Sequence, residues 1–480
     1  MRDAAALSQV IVVNHTLLLL DAVLDGYLLP KHDVIVVDEA HHLEEEATRA
    51  FTVTVSESKI SALLAQQRLK QHSSADLQEE AKQTMKFAWD RLDQITHSAS
   101  HKGRVILQEP LQEGLHLATI IAKLAESLRE QRPEYMEEPE NSLYDKLLTR
   151  TDNLSEAIRK VFSVDQRDSY VYYIERVMKH GRRGSNLEVN ATPLDVNSLL
   201  REQLFNESKV ICTSATLATV GPNPVDLEDQ RPNFAYFRNR VGLDHTQYHD
   251  VLEHILPYTF DYETNALLYL PRHLPEPVYG PDSHHYTNKI AEEMMRLVEA
   301  SQGRAFLLFS SKRMLDAIYN IFLDRLPTYL DYRLLRQGEI NRIELVHEFR
   351  ASGNAILFGL KSFWEGVDIA GESLSLVVID KMPFDPPDDP VHEARVARMK
   401  ARKENWFGNY VLPQAVLRLK QGLGRLLRTH EDRGVMAILD TRLHTKNYGK
   451  LVIHALPPAR KTEQLKNVEQ FFESYNDIPF

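Results

Sequence analysis

Short apolar runs punctuate both ends of this chain and vanish from its middle. QVIVV (9–13) and VIVV (34–37) are rich in β-branched residues and predict short buried strands, with the helix-like LLLLDAVL between them. Strand, helix, strand in that order predicts a parallel α/β sheet. From about residue 44 to 160 Glu, Gln, Lys, Ala and Leu dominate instead. SKISALLAQQRLKQ and GLHLATIIAKLAESL repeat their apolar positions at helical spacing, which predicts a mostly helical insertion. QRPEYMEEPENS (131–142) reads as a loop within it. SYVYYIERV (169–177) alternates like a strand and runs into the basic turn MKHGRRG. KVICT (209–213) brings back the buried-strand texture, so the interrupted sheet resumes there. Residues 221–240 read as loop and linker. From about residue 264, ALLYL, AFLLF, YRLLR, AILFG, LSLVVI and VMAIL predict strands. Helices lie between them, one presenting Ile290, Met294, Leu297 and Val298 on a face and stopping at Gly303, another presenting Leu315, Ile318 and Phe322. The predicted class is α/β. A first lobe spans 1–48, is split by an insertion over 49–185 and resumes over 186–240; a second lobe covers 241–480.

Composition narrows this picture little. The chain has 480 residues, 43% hydrophobic and 26% charged, an ordinary globular balance. No apolar run approaches the roughly 20 residues of a membrane helix, and MRDAAALSQVIVV lacks a signal-peptide layout, so a cytoplasmic location without membrane attachment is expected. The net charge of −11 neither announces nor excludes a nucleic-acid binder, since a basic groove can sit on an acidic protein. The single cysteine, Cys212, makes no thiolate cluster and is expected to be a small buried residue. The histidine pairs 41–42 and 284–285 lack partners at metal-ligand spacing, so no zinc site is expected.

The chemistry concentrates at predicted strand ends. In VIVVDEAHHL four apolar residues deliver Asp38 and Glu39 to a strand terminus. An aspartate there can hold Mg²⁺ through its water shell, and a neighbouring glutamate can orient or deprotonate an attacking water. The plainer alternative is a solvated acidic helix start. In QGLGRLLR (421–428), Arg425 and Arg428 are three apart and would share a helix face, able to reach a bound phosphate. A basic surface face is the alternative, though two glycines in the run suit close backbone approach better. FGLKSFWEGVDIAGESL (358–374) places Ser362, Trp364, Glu365, Gly366 and Asp368 in a loop after a strand, either an ordinary connection or one reaching nucleotide and nucleic acid. Ser214 and Thr216 of TSATL could relay hydrogen bonds between lobes. Asn14 and His15 sit at a strand end, as ligand contacts or as a structural pair. Ser310 and Ser311 begin a helix, as phosphate contacts or as an N-cap. The helix EARVARMKARKEN aligns Arg395, Arg398 and Arg402, and with GRRG (181–184) is either a solvated basic face or a set of contacts for DNA.

VVNHTLLL, VVDEAHHL, TSATL, LLFSSKRML, GLKSFWEGVDIAGESL, VVIDKMPFDPPDDP and QGLGRLLR, in this order, resemble the segments of superfamily two DNA helicases of the DinG/XPD group. TRLHTKNYGKLVIHALPP resembles the group's usual end, and SFWEGVD and DKMPFDPPDDP lean toward its bacterial DinG/YoaA side. The resemblance implies two RecA-like lobes, the first carrying a helical Arch insertion after its DEAH box. It implies ATP-driven translocation on single-stranded DNA, usually 5′ to 3′, in repair or replication. Single-stranded or forked DNA would be the substrate, and a monomer is expected. Carried over, Asp38 and Glu39 serve Mg²⁺ and water, and His41 couples nucleotide to motor. Gln421, Arg425 and Arg428 act on ATP from the second lobe, while Glu365, Gly366 and Asp368 link ATP state to DNA.

The same resemblance exposes a departure. In the family a phosphate-binding loop and a four-cysteine iron–sulfur domain precede the VVNHTLLL segment. These 480 residues contain no GxxxxGK[ST]; the only Gly-Lys pair, Gly449-Lys450, is followed by leucine. The expectation is a first lobe truncated at its N-terminus, a first sheet with an open edge or apolar face, no ligands for an iron–sulfur cluster, and poor ATP binding by this chain alone. Two readings compete. One is a DinG-type helicase met as a fragment; the other is a non-catalytic remnant that binds DNA or a partner. Retention of Asp38, Glu39, Arg425 and Arg428 favours the first. A nuclease domain fused upstream is a third arrangement that nothing in the sequence decides.

Overall fold

The structure is a computed structural model. It describes residues 5–24, 26–98, 103–178, 185–220, 232–244, 251–278, 280, 283–326, 331–360, 363 and 374–476. The chain forms two compact units that do not follow chain order. The first comprises Met1–Ser214, Asn239–Gln247 and Pro386–Glu404; the second comprises Ala215–Arg238, Tyr248–Asp385 and Asn405–Phe480. None of the described helices is long and apolar enough to cross a membrane.

In the first unit β1 (Val34–Val37) pairs in parallel with a strand from far along the chain, and between them comes an antiparallel sheet. That sheet is built from β2 (Val53–Ser56), β3 (Arg104–Ile106), β4 (Tyr170–Met178) and β5 (Ser185–Pro193), in the order β2-β5-β4-β3. The partner of β1 is β6 (Lys209–Cys212), with Val37 opposite Cys212. The insertion is therefore helices on a sheet, and β5 pairs with it rather than with the resumed strand. Helices Ala75–Ser98, Gln112–Glu130 and Glu140–Ser163 cover that sheet. Trp89 Nε1 donates to the Leu187 carbonyl at 3.2 Å, anchoring the first to β5. Gly114 lets the other two approach, since a Cβ there would lie 2.2 Å from the Phe162 ring.

The stretch 9–13 is not a strand. No ladder forms over it, and Val10 and Val12 are largely exposed. A β-branched run becomes a strand only where a neighbour takes its backbone hydrogen bonds, and β1 pairs only with β6 among the described residues. One face of this two-stranded sheet is open: Val34, Val36 and Ile211 are 51%, 62% and 56% exposed, while Val37 is buried.

The second unit holds seven parallel strands: β7 (Ala266–Tyr269), β8 (Ala305–Leu308), β9 (Leu334–Arg336), β10 (Ile356–Gly359), β11 (Leu376–Ile379), β12 (Gly434–Ile438) and β13 (Arg460–Thr462). Their order is β13-β7-β12-β11-β8-β10-β9. Successive residues feed opposite cores: Phe306 and Leu308 face one, Ala305 and Leu307 the other. Helices on both faces seal it, which is why its strands read as unbroken apolar runs. Six of the seven were predicted; the polar RKT of β13 was not. Gly303 ends helix Ser283–Ala300 at φ 78°, where a Cβ would also meet the Asn354 carbonyl oxygen at 2.2 Å. The region expected to be linker contains helix Ala235–Val241.

Candidate functional site

The DEAH segment is built on the β1–β6 pair. Beyond Val37 the ladder continues through polar bonds: Thr213 N–H donates to the Val37 carbonyl and Ala40 N–H to the Thr213 carbonyl, both at 2.9 Å. Glu39 sits in the left-handed region at φ 48°, ψ 44°. A non-glycine residue there costs on the order of 1–2 kcal/mol, and such strain gathers where a side chain must be aimed. The chain then tightens into a 3₁₀ turn, Ala40–His42, and enters helix Leu43–Ala50.

This turn aims three side chains at one another. His41 Nδ1 lies 2.7 Å from Ser214 Oγ, and Ser214 Oγ donates to Glu39 Oε2 at 3.2 Å. His41 Nδ1 is also 3.2 Å from that carboxylate oxygen. With the proton on Nδ1 the order closes as imidazole to hydroxyl to carboxylate, each donor served once. His41 is nearly buried while Glu39 is 58% exposed, so the carboxylate faces solvent from a fixed base. Asp38 is also exposed; its Oδ1 accepts the Glu39 N–H at 2.9 Å.

No three potential metal-ligating side chains gather among the described residues. Asp38 and Glu39 at an exposed strand end instead match an ion that keeps most of its water and takes one or two carboxylates plus phosphate oxygens, as Mg²⁺ does. Cys212, half-buried on β6, has its thiol pushed up to about 12 by burial. The chain has no second cysteine.

Asn14 caps helix His15–Val23 by accepting the Leu17 N–H at 2.8 Å, and His15 Nε2 lies 2.8 Å from the Asp38 carbonyl oxygen. His15 therefore braces the DEAH strand end, from the helix that Asn14 caps. In the second unit, helix Leu412–Leu423 carries Gln421, whose Nε2 approaches Thr216 Oγ1 at 3.5 Å; the preceding Lys420 Nζ donates to the Ala218 carbonyl at 3.2 Å. Segment 213–217 thus has Ser214 bonded to the DEAH turn and Thr216 bonded to the helix of Gln421. Arg425 and Arg428 do not share a helix face. The helix stops at Leu423, capped by Gly424, and the two arginines follow in a turn. Asp432 holds that turn, accepting the Arg428 and Thr429 N–H groups at 2.7 and 2.8 Å.

Along the carboxyl edge of the seven-stranded sheet, Ser310 gives its N–H and hydroxyl to Asp380 at 3.0 and 3.2 Å. Ser311 caps helix Lys312–Arg325 by accepting from Met314 N–H. Asp440, after β12, accepts from Met382 N–H and pairs with Arg442. Asp380 and Asp440 were missed, yet VVID and AILD repeat the signature that marked Asp38: an apolar strand ending in aspartate. Burial pushes the Asp380 carboxyl up to about 6.

Of the three arginines offered as DNA contacts, Arg395 and Arg398 of helix Pro390–Ala401 are turned inward, whereas Arg402, just past the helix, is exposed. Arg395 is 7% exposed and bonded to the Leu194 carbonyl, and Arg398 pairs with Asp195. Ser362, Trp364, Glu365, Gly366, Asp368 and residues 181–184 lie outside the described residues.

Comparison with known proteins gives this geometry a context. The helicase C-terminal domain family matches residues 294–459. The ATP-dependent DNA helicase YoaA of Escherichia coli is 31% identical over 489 residues, covering 98% of this chain and 70% of that protein. The ATP-dependent helicase DinG of Mycobacterium tuberculosis is 32% identical over 469 residues, covering 97% of this chain and 66% of that protein. Among solved structures, S. tokodaii Xpd4 superposes with a TM-score of 0.55 at 14% identity, over 96% of this chain and 79% of that one. That level of identity speaks to the fold alone.

Proposed function

Because the chain belongs to the DinG/YoaA family of ATP-dependent DNA helicases, we propose that it works in ATP-driven movement along single-stranded DNA, 5′ to 3′, in DNA repair or replication. A monomer acting on single-stranded or forked DNA in the cytoplasm is the form proposed. The observation that carries the catalytic part is the His41–Ser214–Glu39 arrangement, in which a strained, solvent-facing carboxylate is held by a buried imidazole through a hydroxyl.

In this reading Asp38 would hold Mg²⁺ through water, and the chemistry supplied there would be charge neutralisation at the terminal phosphates. Glu39 orients the attacking water and takes its proton, with Ser214 and His41 fixing the carboxylate's direction. A hydroxyl donor on Glu39 Oε2 leaves Oε1 for that water. His41 and Ser214 sense the state of the turn, and Thr216 carries it toward Gln421. Arg425 and Arg428 serve the phosphates. His15 braces the DEAH strand end from the helix that Asn14 caps, and Ser311, Trp364, Glu365, Gly366 and Asp368 serve DNA or couple it to nucleotide. Ser310 acts through Asp380, where both its donors are engaged.

These 480 residues contain no phosphate-binding loop sequence. By themselves they are therefore proposed to hydrolyse ATP poorly, and to need polypeptide carrying such a loop. An iron–sulfur cluster would come from the same polypeptide. Strand displacement tests the motor reading. The chain, fused behind the part of a YoaA relative that it does not match, is given duplexes with a 5′ or a 3′ single-stranded tail. Unwinding of the 5′-tailed duplex is expected; unwinding confined to the 3′-tailed one contradicts the polarity, and none on either contradicts the motor.

A further inference from the structure

Helix Pro390–Ala401 packs as part of the first unit, although the chain through Asp385 and from Asn405 belongs to the second. Charged side chains from three distant stretches of sequence meet around it. Arg395 Nε donates to the Leu194 carbonyl at 2.8 Å, its Nη1 pairs with Glu44 Oε1 at 2.9 Å, and its Nη2 donates to the Thr48 hydroxyl at 3.1 Å. Arg240 pairs with the same Glu44 oxygen and lies 3.4 Å from Asp195. Arg398 pairs with Asp195 and reaches the Asp168 carbonyl at 3.3 Å. The order is Arg395, Glu44, Arg240, Asp195, Arg398, with signs alternating, and every member is largely shielded from solvent.

The helix has further anchors. Asp389 caps it and accepts from Arg104 at 2.8 Å, while Val391 and Ala394 pack on Val171, Tyr173 and Leu194 of the insertion. Shielded ion networks are a poor route to stability, because apolar side chains of similar volume often do as well. What forked guanidinium groups supply is fixed geometry. Glu44 stands in the first turn of helix Leu43–Ala50, five residues beyond Glu39 and three beyond His41.

We infer that Glu44 is a positioning residue, clamped by Arg240 and Arg395, through which the 386–404 excursion sets the DEAH turn. The excursion is tied by covalent chain to β11 at one end and to the helix of Gln421 at the other. This deepens the helicase reading and rests on it for its purpose, but its test needs neither ATP nor DNA.

The test is hydrogen exchange, read by mass spectrometry, on the 480-residue chain and three variants. Arg395→Met removes the clamp, Arg395→Lys keeps the charge without the fork, and Arg402→Met alters an exposed arginine next to the same helix. Exchange over residues 38–50 is expected to quicken about tenfold in Arg395→Met, less in Arg395→Lys and not in Arg402→Met. Strands 170–178 and 305–308 should keep their rates in all three. Unchanged exchange over 38–50 would overturn the inference, as would an equal rise throughout the first unit, which would mark the network as general stabilisation. If Arg395→Met does not fold, Arg395→Lys is judged by the same criteria. DNA binding measured separately on the wild-type chain tells failure of the helicase reading from failure of the clamp.

Discussion

The two parallel sheets end in the same way and are supported differently. β1 delivers Asp38 from VIVV, and β11 delivers Asp380 from LVVI. Yet every residue of β11 is buried, whereas β1 alternates exposed and buried. In the second unit β11 is held by β12 and β8 on its two sides and by apolar cores on both faces. At β1 the job passes to polar bonds, namely the Val37–Thr213–Ala40 ladder, the His15 brace, and the His41–Ser214–Glu39 relay. A strand-end carboxylate can thus be placed by packing or by hydrogen bonds. The first buries it, as Asp380 is buried; the second leaves it exposed and available, as Glu39 is.

The contrast can be broken most strongly from the packed side. Phe306 is fully buried, with its ring 4.8 Å from that of Phe349. Phe306→Ala should destabilise the second unit by about 3–5 kcal/mol, read as a lower urea midpoint for exchange of the 305–308 amides, with 34–37 unmoved. A smaller effect should come from Asp380. Its carboxyl, raised by burial to about 6, stays neutral in the folded state over a range where the unfolded chain ionises. The stability it contributes is full below about pH 4 and is lost as pH rises through 6, a change on the order of 2–3 kcal/mol. Asp380→Asn can still accept from Ser310 and should flatten the second unit's stability between pH 4 and 6; an unaltered pH profile would refute the burial argument. Smallest of all, Val36→Thr on the open face of β1 should move first-unit stability by no more than about 0.5 kcal/mol. A loss of several kcal/mol in the isolated chain would mean that face is covered.

What the sequence made legible follows the same division. Strands sealed on both faces announce themselves as apolar runs, so β7, β8, β10, β11 and β12 were plain, while β13 on the sheet edge was hidden by its polar RKT. QVIVV had the right residues for a strand but has no ladder, because pairing is a property of neighbours. Arg395 and Arg398 looked like a basic face because their partners, Glu44 and Asp195, lie some hundreds of residues away. A helix was extended through Arg425 and Arg428 because Gly424 was read for close approach rather than as a cap. The DEAH site itself was legible as a strand ending in two carboxylates. That Ser214 links His41 to Glu39 was not, since only folding brings residue 214 beside residue 41.

In the proposed mechanism Glu39 is the hydrolytic carboxylate, aimed by Ser214 and His41, of a nucleotide site that also needs a phosphate-binding loop. Steady-state ATPase with single-stranded DNA tests it most directly, on the 480-residue chain and on its fusion to the unmatched part of a YoaA relative, each with and without Glu39→Gln. Negligible turnover is expected from the chain alone, DNA-stimulated turnover from the fusion, and loss of at least about a hundredfold in the fused Glu39→Gln variant. Robust turnover by the chain alone that Glu39→Gln abolishes, or turnover by the fusion that Glu39→Gln leaves intact, would contradict it.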